Sequence, residues 1–235
     1  MKYKRGNFLG IPFIYLEELN LNGFIYGFTT REISKEEVLK KFADSGLILF
    51  TTNQIHSSKV IKVDRRSVSE ETADGLLTNE EGLFIGVKTA DCLPIILIDR
   101  DNRAVGAIHA GWRGTFKGVA MEGIKRMEEI FGSNPHDLIA ILGPSISVCC
   151  YEIGEDVKEV LENSFLESIL ERERKFYFDL RKANKVLLQK GGIKERNIYE
   201  ISLCTMCNRE LFFSHRRGEK GRNIAFVGIY KENRL

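Results

Sequence analysis

The chain has 235 residues, 43% of them hydrophobic, which is enough to enclose one sizeable core, and a single domain over 1–235 is expected. A net charge of +2 argues against a nucleic-acid or membrane partner recruited by overall charge. No stretch approaches the roughly 18 consecutive apolar residues of a spanning helix, and the basic start Met1-Lys2-Tyr3-Lys4-Arg5 leads into no signal-type apolar region, so a cytoplasmic protein is expected.

In chain order, Ser34-Lys35-Glu36-Glu37 has the form of a capping box opening a helix whose stripe is Val38, Leu39 and Phe42 and whose end is near Gly46. Leu47–Phe50 then reads as a buried strand that delivers Asn53, Gln54 and His56 at its exit. Branched apolar runs at 83–87, 93–98 and 104–109, with Asp99-Arg100-Asp101-Asn102-Arg103 before the last of them, predict a hairpin. A second helix is expected from about 116 to Phe131, on the spacing of Phe116, Val119, Ile124, Met127 and Ile130, ending at Gly132. Leu138–Leu142 is a strand closed by Gly143-Pro144. Helical patterns follow at about 155–170 and 180–190, and strands at about 197–203 and 223–230. Hairpins interspersed with helices predict an α+β domain of mixed β-sheets with flanking helices, and no phosphate-binding glycine fingerprint is present.

The chemistry concentrates at strand ends. Facing residues of a hairpin with an even loop have an odd index sum, so Cys92 and His109 fall on one face, provided Pro94 introduces no bulge. With His56 they offer two imidazoles and a thiol, which suits zinc and leaves a fourth tetrahedral position for water or substrate. Asp91, Asp74 or Gln54 is positioned to orient a ligand imidazole. Five cysteines, an odd and dispersed set, read as thiols, ligands or small buried residues and not as a disulfide framework. Cys204-Thr205-Met206-Cys207 is a C-x-x-C pair with His215 downstream. A structural zinc there needs a fourth ligand that the sequence does not place, so packing or a substrate-facing loop is expected.

The pieces Asn53-Gln54-Ile55-His56, Ala73-Asp74-Gly75-Leu76, Thr89-Ala90-Asp91-Cys92-Leu93-Pro94, Ile108-His109-Ala110-Gly111-Trp112-Arg113-Gly114, Cys150-Tyr151-Glu152-Ile153-Gly154 and Phe212-Phe213-Ser214-His215-Arg216-Arg217 occur in this order. In that arrangement the chain resembles the laccase-domain family, first described as multicopper polyphenol oxidases and now read as purine nucleoside phosphorylases with adenosine deaminase and methylthioadenosine phosphorylase activities. The resemblance implies zinc on His56, Cys92 and His109, and a fold related to the cysteine-dependent deamidating toxins. One departure is visible: the Gly-Gly segment common after the Gly27-Phe28-Thr29-Thr30-Arg31 pattern is missing, which shortens the loop carrying Arg31.

The expectation is a zinc-dependent phosphorolysis of adenosine, inosine and methylthioadenosine, with purine nucleosides and phosphate as partners. Arg113, then Arg216 and Arg31, are candidates for phosphate, and Gln54 is a further candidate for substrate contact. In a deamination, Asp91 or Cys92 would shuttle the proton, because no His-x-Glu pattern accompanies either histidine. Four histidines cannot build the copper clusters of a multicopper oxidase, although copper can displace zinc and support weak polyphenol oxidation. The competing readings are a metal-free thiol amidohydrolase acting on cell-wall precursors, with Cys92 as nucleophile and His109 as base, and a non-catalytic zinc module, which requires a fourth ligand beside the trio. A homo-oligomer is compatible with each of them.

Overall fold

The computed structural model describes residues 2–19, 21–67 and 71–230. Its elements run β1 (Tyr3–Phe8), β2 (Ile11–Leu16), β3 (Phe24–Thr29), α1 (Lys35–Asp44), β4 (Ile48–Phe50), β5 (Val60–Lys62), β6 (Gly75–Thr78), β7 (Leu83–Thr89), β8 (Leu93–Asp99), β9 (Ala104–Ala110), α2 (Trp112–Phe116) and α3 (Val119–Phe131). They continue through β10 (Ile139–Leu142), β11 (Glu152–Ile153), α4 (Glu155–Phe165), β12 (Ile169–Arg172), β13 (Lys175–Phe178), α5 (Leu180–Lys190), β14 (Ile198–Glu200) and β15 (Asn223–Ile229). Two six-stranded mixed sheets, ordered β1-β2-β3-β15-β7-β4 and β14-β10-β8-β9-β6-β5, are joined by a small antiparallel sheet β11-β13-β12. The architecture is the expected mixed α+β arrangement.

Alternation along the central strands sets the layers. On β8, Ile96 and Ile98 join Val105 and Ala107 of β9 and Ile85 and Val87 of β7 in the core between the two large sheets. Leu93, Ile95 and Leu97 face the other way, with Ile108, against Ile124 of α3 and Leu188 of α5. On the far side of the first sheet, Phe84 and Phe226 pack with Val38 and Phe42 of α1. A helix, two sheets and a helical layer are therefore stacked in order. The central strands are covered on both faces, which explains why β8 and β9 read as nearly continuous apolar runs.

The capping box is present, with Ser34 Oγ accepting from Glu37 N and Glu37 accepting from Ser34 N, and Gly46 follows the helix at φ +72°. The hairpin is regular from Leu93 opposite Ala110 to Asp99 opposite Ala104, with no bulge at Pro94. Pro94 sits opposite His109, but their backbones bond outward: His109 N donates to Asp74 O at 2.7 Å and Pro94 O accepts from Gly143 N at 2.9 Å. A proline at this non-bonded position therefore breaks no β8–β9 hydrogen bond.

Two expectations are corrected. The helix foreseen from 116 to 131 begins instead at Val119: Phe116 ends the separate short helix α2 and is exposed, and Gly118 at φ +76° turns the chain between the two helices. The helical pattern at 155–170 ends at Phe165 with one further 3₁₀ turn, and residues 169–178 form a hairpin that the sequence did not announce. Glu173 and Arg174 make its turn at φ 51° and 60°, a conformation usually marked by Asn or Gly.

Candidate metal centre

The chain leaves the first sheet at Thr89 and enters the second at Leu93, crossing between them through Ala90-Asp91-Cys92. Asp91 makes that crossing at φ 86°, a conformation costly for a residue with a Cβ. At the same end of the second sheet β9 finishes just beyond His109, and β6 begins just after Asp74. Cys92 and His109 share the face foreseen for them, and the loop after β4 brings His56 over both. The Cys92 Sγ to His56 Nε2 distance is 3.8 Å, the two imidazole rings are 4.9 Å apart, and all three ligand atoms lie within 4.8 Å of one another.

Asp74 organises the group. Fully buried, it accepts a hydrogen bond from His109 Nδ1 at 2.8 Å and from the backbone N–H groups of Ile55, His56 and Ser57 and the Ser57 hydroxyl at 2.6–3.2 Å. Burial opposes its charge, yet the His109 and Ser57 donors outweigh that and hold the carboxyl well below the usual range. The Nδ1 bond selects the tautomer that leaves His109 Nε2 open toward Cys92 and His56. The same carboxylate pins His56 at φ 58°, so the left-handed strain at a ligand is offset by three backbone hydrogen bonds around it. Of the three residues considered for orienting an imidazole, Asp74 is the one that does so.

Burial raises the Cys92 thiol pKa, but His109 and then His56 more than compensate and bring it down to about 6. His109 is pushed up to about 9, because the neighbouring Cys92 charge and the Asp74 hydrogen bond prevail over burial. A thiolate facing two imidazole nitrogens is a donor set matched to a borderline-soft divalent cation. A tetrahedral site with bonds of about 2.3 Å to sulfur and 2.0–2.1 Å to nitrogen has S···N edges of about 3.5 Å, so the observed 3.8 Å needs only a slight contraction. Among the described residues no fourth histidine, cysteine or carboxylate joins this trio, which leaves one tetrahedral position open.

The remaining expected residues fall into two groups. Arg113 lies over the Trp112 ring at 4.3 Å and Arg216 over Tyr151 at 5.5 Å. Burial is the main cause that raises the Tyr151 phenol well above the usual range. Lys117 adds a further cation, 3.4 Å from His56 O. Gln54, Asp91 and Arg31 are tied into the frame, and Arg216 is held there too, its Nη2 donating to Glu152 O at 3.0 Å. Gln54 exchanges two 2.8 Å hydrogen bonds with the backbone of Lys88, and Asp91 accepts from Thr205 Oγ1, Ser214 Oγ and Arg216 N at 2.6–3.0 Å. Arg31 donates to Arg209 O and pairs with Glu219. Tyr151 lies in one of the quoted motifs without a role assigned to it, and Lys117 was not singled out, because a lysine carries no signal until the fold puts it beside His56.

The C-x-x-C pair has neighbours that the sequence did not place. Cys204 and Cys207 meet Cys149 and Cys150, while His215 is exposed and outside the cluster.

A family model described as multi-copper polyphenol oxidoreductase laccase matches residues 34–230, and the chain belongs to that family. It is similar to purine nucleoside phosphorylase YlmD of Bacillus subtilis, 33% identical over 192 residues that cover 75% of this chain and 69% of that protein. It is also similar to adenosine deaminase RL5 of an unknown prokaryotic organism, 35% identical over 198 residues, covering 78% and 75%. The crystal structure of hypothetical protein YfiH of Bacillus licheniformis matches with a TM-score of 0.83 at 29% identity, over 92% of this chain and 96% of that one. Among the described residues, no helix is long and apolar enough to cross a membrane.

Proposed function

We propose that this protein is a zinc-dependent purine nucleoside phosphorylase that also deaminates adenosine, with the metal on His56, Cys92 and His109. The observation that carries the reading is the three-ligand set with its open position and the Asp74 carboxylate behind His109, in a chain whose relatives are named for these two activities. Zinc fits the mixed N/S donors and copper is the competitor, so polyphenol oxidation is a side reaction of copper-loaded protein. When bound, the cation supplies a Lewis acid at the open face of the trio.

Phosphorolysis forms a bond from phosphate oxygen to ribose C1′ and breaks the bond from C1′ to the purine, so an anion must be held beside a developing sugar cation. Arg113 and Arg216, each stacked on an aromatic ring, are presented for that phosphate, and the stacking limits the side-chain freedom lost on binding. Tyr151, which stacks with Arg216, offers its phenol O–H to the nucleoside. Asp91 has its oxygens engaged by Thr205, Ser214 and Arg216, so it positions the Cys92 turn and the Arg216 loop and does not shuttle a proton.

Adenosine and inosine turnover, measured with and without phosphate and before and after chelation, tests the reading. Phosphate-dependent release of base that chelation abolishes is expected. One specific observation favours a second reading: the lowered Cys92 thiol beside His109 is also the arrangement of a thiol amidohydrolase. Amide hydrolysis that survives chelation and is killed by alkylation of Cys92 would replace the first reading with this one.

A further inference from the structure

Four of the five cysteines lie outside the centre described above and come together from two loops of the second sheet. β10 and β14 run parallel as neighbours, so the loops that follow them emerge side by side. Backbone bonds then register the loops: Ser145 N donates to Leu203 O at 3.3 Å and Thr205 N to Ser145 O at 3.1 Å. The first loop carries Cys149-Cys150 and the second Cys204-x-x-Cys207. Their four sulfurs lie within 4.8 Å of one another, with Cys149 to Cys150 at 3.6 Å, Cys149 to Cys207 at 3.7 Å and Cys150 to Cys207 at 3.3 Å.

We propose that Cys149, Cys150, Cys204 and Cys207 bind one zinc ion in a closed, structural tetrahedral site distinct from the His56/Cys92/His109 centre. A tetrahedron with Zn–S bonds of about 2.3 Å has S···S edges of about 3.8 Å, close to the spacings found here and far longer than the ~2.05 Å of a disulfide. Four uncharged thiols gain little from converging, whereas one cation accounts for all four at once. Cys204 accepts a backbone hydrogen bond, Ser147 N donating to its Sγ at 3.4 Å. Such N–H···S bonds stabilise sulfur that carries charge.

The charge balance agrees. Zinc with four thiolates is a dianion, and two guanidiniums attach to the ligand loops. Arg181 donates to Ser147 Oγ at 3.2 Å, Ser145 Oγ at 3.1 Å and Leu203 O at 3.4 Å, spanning both loops; its Nε is buried with no hydrogen-bond partner among the described residues. Arg172 donates to Val148 O at 2.5 Å. The site also has a structural role to play. Cys150 is followed by Tyr151, and Thr205, inside the C-x-x-C, donates to Asp91 Oδ1 at 2.6 Å, so the ion ties together two loops that border the first centre.

This inference does not depend on the nucleoside reading, and its test uses metal and thiol readouts alone. In the full chain carrying Cys92→Ser, which removes the first centre, plasma mass spectrometry is expected to find about one zinc per chain. Adding Cys204→Ser or the exposed Cys207→Ser should bring that to none. Cobalt(II) supplied to the zinc-depleted Cys92→Ser protein should give the intense thiolate-to-metal charge-transfer absorption of a four-thiolate tetrahedral site, absent after the second substitution. In the unsubstituted protein, iodoacetamide labelling of the four cysteines should rise by about tenfold when a chelator is added, because coordination withholds the thiolate lone pairs. Zinc content unchanged by Cys207→Ser, labelling indifferent to chelator, or an intact mass showing a disulfide within the quartet would each overturn the proposal.

Discussion

Two clusters of soft ligands stand at one end of the same sheet, and their construction differs in every respect that matters to metal chemistry. The His56/Cys92/His109 trio draws one ligand from each of three chain segments, mixes nitrogen with sulfur, is backed by a buried carboxylate and leaves a position open. The cysteine quartet draws two close pairs from two adjacent loops, is all sulfur, and has no position to spare. Open mixed sites do chemistry and closed thiolate sites hold structure. Ligand count and donor type separate Cys92, in its mixed trio, from the four clustered cysteines.

The largest effect should come from breaking each cluster in turn. Cys92→Ala is expected to reduce nucleoside turnover to background and remove one metal per chain while leaving the thermal midpoint close to that of the parent. Cys204→Ser should do the reverse in order of severity, lowering the midpoint by several degrees first, since each kcal/mol lost moves it by about 2–4 °C in a chain of this size. Metal analysis and a melting curve on the two variants check both statements.

Next is Asp74→Asn. An amide is a poorer acceptor for the His109 N–H and cannot satisfy the donors of Ile55, His56 and Ser57 as a carboxylate does, so metal affinity or turnover should fall by about 10–100-fold. Metal competition titration reads this directly, and an affinity unchanged within twofold would remove Asp74 from its positioning role.

Gly111→Ala sharpens the comparison from another side. A Cβ at 111 would lie 2.9 Å from His56 Cδ2 and 3.0 Å from Cys92 Sγ, so the trio must give way while the quartet is untouched. Turnover should drop by about tenfold, the order expected for a small misplacement of reacting groups, with quartet labelling unchanged.

The smallest effect concerns the loop after the quartet. Glu219 accepts from Arg217, Arg31 and Ser214, and with Arg217 as the leading cause its carboxyl is lowered from 4.5 to about 2. A depressed carboxyl contributes stability in full above its unfolded value and loses it as pH falls through the folded one. The difference in midpoint between the parent and Glu219→Gln should therefore be constant above about pH 5 and vanish as pH falls toward 2. A difference that does not change over that range would show that the ion pair contributes nothing.

Much of this was legible beforehand where the signals are local. The capping box at Ser34, the helix at 180–190 and the strands at 139–142 and 223–229 depend on neighbours in the chain, and their residue types announce them. The hairpin at 169–178 was not, because Glu173 and Arg174 turn it without glycine or asparagine. The split between α2 and α3 was missed for a related reason: Gly118 breaks the helix by its left-handed backbone, while the apolar spacing around it continues to look helical.

For the site, the dividing line is sequence separation. Turn length and strand parity suffice to put Cys92 and His109 on one face, because a hairpin is a local object with a period of two. Which acid serves His109 was beyond the sequence: Asp74 is 35 positions away and Asp91 is adjacent to Cys92, yet only strand pairing between β6 and β9 brings one of them to the ring. Cys149 and Cys150 reach Cys207 across 58 and 57 positions through the parallel pairing of β10 with β14. Local chemistry, then, determined the elements with strong local signals, the ligand types and one shared face. Only the tertiary structure decided which distant loops meet, because that depends on the order of strands within a sheet, which no short-range preference encodes.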